Sequence, residues 1–134
     1  MVVPGAGVHP DSVSGSLAAA GFEALVVRSV PEARSQVEAG ALVMVIGTGG
    51  SEWAGPVSVP VLSMPPSLRR SCLVVLAGAG FATGDAWRAL TLGVDAVVAA
   101  SDLERLGEIC AGALSAKRAL VAPLDAAAAA RLGG

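Results

Sequence analysis

Short apolar runs alternate along the chain with stretches in which apolar residues recur every three to four positions. The runs fall at residues 1–3 (MVV), 24–27 (ALVV), 42–46 (LVMVI), 72–77 (CLVVLA) and 95–100 (DAVVAA). Runs of this length, rich in Val and Leu and bounded by glycine or polar residues, predict strands buried on both faces of a parallel sheet. The stretches between them predict helices. Asp11 is placed to cap a helix from Ser12 to about Ala20, with Gly21 just past its end. Pro31 suits the first turn of a second helix, which runs to Gly40. GDAWRALTLG predicts a third, with Ala86, Trp87 and Leu90 inward and Gly93 at its end. Ser101 and Glu104 have the spacing of a capping box at the head of the last long helix. On that helix Leu103, Leu106, Ile109, Cys110 and Leu114 share one face.

One segment breaks the alternation. Residues 47–70, GTGGSEWAGPVSVPVLSMPPSLRR, hold four glycines and four prolines, which disfavours a long regular helix. An irregular connection is expected there, with room for a helical turn near residues 67–70. PLDAAAAARLGG at the other end predicts a short alanine-rich helix or a fraying tail.

Five strands joined by mostly helical connections predict an α/β fold: a doubly wound, flavodoxin-like parallel sheet in the order 2-1-3-4-5. An irregular segment replaces much of its third helix. Such a sheet carries its function at the C-terminal strand ends. Here that edge is built from PGAG, GTGG and AGAG.

Composition narrows the classes. With 134 residues the chain suits one domain. Its apolar share is 54 %, yet it has two Phe, two Trp and no Tyr, a poor stacking surface for nucleic acid. Net charge is −2, without the basic footprint of a DNA- or RNA-binding chain. No run approaches the roughly 18 apolar residues of a membrane span, and no basic flank marks a signal peptide, so a cytoplasmic location is expected. Cys72 and Cys110 read as reduced core residues, too far apart for a typical metal site. His9, the single histidine, precedes Pro10 in a loop and is weak ground for a catalytic triad.

WRALTLGVDAVVAASDLERLGEICAGAL resembles the closing half of a response-regulator receiver domain: a helix ending in an Ala-Leu-x-x-Gly-Ala-Asp-like turn, a strand, and a leucine-anchored last helix. The likeness extends over residues 1–118, with residues 119–134 as a tail or the start of a linker helix. KRALVAPLDAAAAARL is similar to the segment after the receiver in LuxR/NarL-type regulators. The resemblance implies a CheY-like fold and a phosphorylation site at the strand ends. It also implies a two-component signalling or transcriptional role.

The side chains for that chemistry are missing at the matching positions. Two acids should close the first strand, where Pro4 and Gly5 stand; the acceptor aspartate should end the third, at Ile46 or Gly47. Ala77 holds the Thr/Ser position and Ala100 the lysine position. Magnesium needs oxygen ligands, which proline and glycine side chains lack. The resemblance is therefore to atypical receivers that keep the fold and drop the phosphorelay. It implies a non-enzymatic module without a cofactor or metal, acting by dimerisation, by control of an output domain, or by a small ligand. Contact with DNA would come only through a separate helix-turn-helix domain, and no membrane contact is expected. A receiver-like adaptor of a ParA/MinD-like ATPase is a second setting.

Two surfaces are candidates. A glycine-lined pocket at the strand ends would be walled by Thr48, Gly49, Ser51, Trp53 and Gly78, and the bland alternative is that loops fill it. A dimer face would use Leu92, Arg105 and Glu108, although core packing for the leucine and a solvated face for the charges is the favoured reading. A Rossmann-like reading rests on GAGFATG, Gly78 to Gly84, with Asp102 as a ribose-binding acid. Its spacing differs from the dinucleotide fingerprint, and one further strand follows it.

Overall fold

A computed structural model describes residues 2–3, 10–22, 35–36, 38–40, 43–48, 70–78, 82–85, 87, 89 and 94–133. Four strands form one sheet: β1 (Val2–Val3), β2 (Val43–Thr48), β3 (Leu73–Gly78) and β4 (Ala96–Ala99). They pair in the order β1-β2-β3-β4, and every pair is parallel.

This corrects the expected five-stranded, 2-1-3-4-5 sheet. The described residues make four strands, and the strand expected at 24–27 lies outside them. β1 comprises two described residues. β2 runs to Thr48 and β3 to Gly78, so both extend past the ends expected at 46 and 77.

β2 from Val43 to Val45, β3, and Val97 and Val98 of β4 are buried on both faces. Val43, Val45, Leu73, Val75, Ala77 and Val98 point into a core with Val13 and Leu17 of α1 (Pro10–Ala19). Leu106 and Cys110 of α2 (Leu106–Val121) complete it, with Leu103 just upstream. The alternate set, Met44, Val74, Leu76 and Val97, is also buried. Period-two alternation thus sends apolar residues both ways, which explains the uninterrupted runs.

α1 begins at Pro10, so Asp11 lies inside its first turn rather than capping it. Proline fits there because the first helical N–H has no intrahelical partner. At the other end Gly21 adopts φ 89°. Its N–H reaches the Ala18 carbonyl at 3.0 Å and that of Phe22 the Leu17 carbonyl at 2.9 Å, a Schellman stop. Phe22 then packs against the core containing Leu17. Gly40, with φ 102°, follows helical residues 35, 36 and 38.

The expected capping box at Ser101 is not made. Residues Ala100–Arg105 form a 3₁₀ helix without a side-chain cap, and α2 starts only at Leu106. Trp87 is also placed otherwise than expected: it is 75 % exposed, while Ala89 is buried. Two positions along a helix are about 200° apart, so burying the small residue turns the large one outward. The C-terminal residues are a packed helix, α3 (Ala126–Gly133), and α2 runs unbroken through residues 118 and 119.

Candidate functional site

The C-terminal strand ends lie side by side. Register places Gly47 beside Ala77 and Ala77 beside Val98; one step further, Thr48, Gly78 and Ala99 form the last row. Ile46 pairs with Leu76 one step inside. Ala100 opens the 3₁₀ helix directly after β4. Of the positions matched to receiver chemistry, Ile46, Gly47, Ala77 and Ala100 are therefore brought to one end of the sheet. Pro4 and Gly5 lie outside the described residues, as do Gly49, Ser51 and Trp53 of the expected pocket wall.

One acid stands just past this edge. Asp102 Oδ2 accepts the hydroxyl of Thr83 at 2.5 Å, and the same hydroxyl oxygen accepts the N–H of Ala99 at 2.9 Å. Thr83 thus uses its proton and a lone pair to tie the segment after β3 to the end of β4. A hydroxyl held this way is a brace rather than a poised nucleophile.

The glycine pattern after β3 has a backbone explanation as well. Gly84 has φ 79°, a conformation other residues rarely adopt, and a Cβ there would meet open space. Its N–H donates to the Val97 carbonyl at 3.2 Å. Both Gly84 and Asp102, the two residues a dinucleotide reading needs most, are engaged in holding this turn to β4.

Of the three residues of the expected dimer face, two lie among the described residues. Arg105 and Glu108 are exposed and approach at 3.9 Å, one helical turn apart. So exposed a pair contributes little to stability. Leu92 lies outside the described residues.

The opposite, N-terminal edge carries a cluster that patterns along the sequence do not reveal. Lys117 Nζ donates to Asp95 Oδ2 at 2.9 Å and to the Cys72 carbonyl at 2.7 Å. The same Asp95 oxygen accepts the Val74 N–H at 2.7 Å, and Asp95 N–H returns a bond to the Val74 carbonyl at 2.9 Å. Asp95 so extends the β3–β4 ladder by one rung, with its charge met by a lysine only 11 % exposed. Beside it, Arg70 pairs with Asp125 at 3.0 Å and Arg131 Nε donates to Ser71 Oγ at 3.0 Å. The Asp125 carboxyl is held below the ordinary aspartate value by the Ala128 N–H, then by Arg70. The one legible signal was Asp95 itself, an acid at the mouth of an apolar run.

Cys72 and Cys110 are both free thiols and buried. Burial pushes the Cys110 thiol up to about 12, so it stays protonated and behaves as an apolar side chain. Among the described residues, no group of three His, Cys, Asp or Glu is placed to hold a metal ion, and no helix is long and apolar enough to cross a membrane. No protein-family model, no curated protein and no solved structure matches the chain.

Proposed function

We propose that this chain is a cytoplasmic, receiver-like regulatory domain that works without phosphorylation, through contacts with other proteins, and catalyses no reaction of its own. The reading rests on the sequence resemblance of residues 87–114 and on one structural observation, and it does not depend on a five-stranded sheet. That observation is the row of strand ends. Gly47-Thr48, Ala77-Gly78 and Ala99-Ala100 meet at one edge, where aspartyl phosphorylation would need a carboxylate and a counter-cation. Glycine and alanine supply neither. The acid beside them, Asp102, is committed to Thr83.

What remains for such a domain is recognition. A sheet buried on both faces is a rigid support, and the helices around it present the contact surfaces. Leu120 and Leu124, 74 % and 83 % exposed, are apolar side chains at the end of α2 and in the turn beyond it.

Thermal unfolding with magnesium and beryllofluoride, and separately with NAD, NADP, FAD and ATP, tests the reading. A ligand at 100 times its dissociation constant adds about 2.7 kcal/mol, a shift readily seen. No shift is expected. A beryllofluoride shift would restore a phosphorylation site, and a dinucleotide shift would make residues 78–84 a cofactor loop.

A further inference from the structure

Asp125 joins two events in one side chain. Its Oδ1 accepts the N–H of Ala128 at 3.0 Å, the N-cap bond that starts α3. Its Oδ2 accepts Arg70 Nε at 3.0 Å, clamping that helix to the residue three positions ahead of β3. The second clamp, from Arg131 to Ser71, ties the far turn of α3 to the next residue along.

The apolar contact beneath α3 is small and separate. Val121, Ala128, Ala129 and Leu132 form their own cluster, apart from the core that holds α1, the sheet and the first half of α2. Leu114 packs against both. Two of the four cluster residues are alanines, which bury little apolar surface each. α2 has its own anchor nearby, since Lys117 is bonded to Asp95 and to the Cys72 carbonyl. α3 is eight residues long. Isolated helices shorter than about 12–15 residues are marginal in water, so α3 keeps its form only while docked.

We propose that residues 122–133 are a latch: a segment that undocks and unfolds as one local unit while the sheet, α1 and α2 stay folded. Asp125 makes the unit cooperative, because losing its carboxylate removes the cap and the clamp together. Release uncovers Val121 and the C-terminal half of α2, beside the already exposed Leu120. The latch is independent of the regulatory role proposed above, and it stands or falls on local stability alone.

Native-state hydrogen exchange by mass spectrometry on the full chain tests it, reading α3 against β3. In the wild type the amides of α3 are expected to exchange faster than those of β3. Arg70→Gln removes a partly exposed ion pair and is expected to speed α3 exchange about threefold, with β3 unchanged. Asp125→Ala also removes the cap, and about tenfold or more is expected. Equal rates for α3 and β3 in the wild type would overturn the latch. So would variants that speed both elements together, or an Asp125→Ala chain whose α3 rate is unchanged.

Discussion

Ser16 and Gly107 meet where α1 crosses the start of α2. The Gly107 N–H donates to Ser16 Oγ at 3.0 Å, and that hydroxyl donates onward to the Glu104 carbonyl at 3.1 Å. A Cβ on Gly107 would overlap the Ser16 carbonyl oxygen and sit 2.7 Å from Ala20 Cβ. The glycine is there for close approach, and the serine supplies the cap that the sequence pattern assigned to Ser101.

Gly107→Ala therefore sets a helix-propensity gain against a backbone clash that cannot rotate away. Net destabilisation of about 2 kcal/mol is expected, as for overpacked interiors. Ser16→Ala leaves the Gly107 N–H without its acceptor and is expected to cost about 1 kcal/mol. Urea unfolding monitored by circular dichroism measures both; a Gly107→Ala chain as stable as wild type would show that the helices can separate freely.

The Lys117–Asp95 pair bears on how β4 is held. Lys117→Met keeps the aliphatic stem and removes the ammonium from the Asp95 carboxylate and the Cys72 carbonyl. Because both groups are about four-fifths buried or more, but not fully so, a loss of about 2–3 kcal/mol is expected in denaturant unfolding, somewhat less than for fully buried pairs. A change below about 0.5 kcal/mol would place this pair with the surface ion pairs.

Thr83→Val removes a hydroxyl that serves two partners. The Ala99 N–H and the Asp102 carboxylate both lose a bond, and a cost of about 2 kcal/mol is expected. Asp102→Asn retains an acceptor for Thr83 and is expected to cost less. If instead Asp102→Asn is the more damaging change, the carboxylate charge has a partner other than Thr83.

Cys110 gives a pH dependence with a definite sign. Its folded value, about 12, lies above the ordinary 9.0, so above pH 9 the folded state binds more protons than the unfolded one. This contribution is whole below pH 9 and is lost as pH rises toward 12. Stability of the wild type should therefore fall more steeply over that window than that of Cys110→Ala, referred to each protein's own stability at pH 8. Parallel profiles would mean the thiol is solvated in the folded state.

Much of the scaffold was legible because its signals are local. The apolar runs at 42–46, 72–77 and 95–100 mark β2, β3 and β4 to within two residues at their ends, and Gly21 and Gly40 read as stops after helices, since a left-handed residue leaves its mark in the sequence. What was not legible depends on partners far along the chain. The Ser101–Glu104 spacing is a sound cap signal, yet residues 100–105 form a 3₁₀ helix and Asp102 is bonded to Thr83, 19 residues away. Trp87 reads as inward on apolar character, while the packing buries Ala89. Asp95 and Lys117 are 22 residues apart and follow no period, so no pattern in the sequence joins them. Gly107 gave no signal either, since its neighbour in space is 91 residues away. That glycine, threonine and alanine end β2, β3 and β4 is read directly from the sequence, because a residue's type needs no contact to be seen.

The most direct measurement is intact-mass spectrometry after incubation with magnesium and a small phosphodonor such as acetyl phosphate, with a conventional receiver treated alongside. The control should gain one phosphoryl group while the mass of this chain stays unchanged. A species one phosphoryl group heavier, labile to hydroxylamine as an acyl phosphate is, would contradict the account and place an acceptor carboxylate elsewhere on the chain.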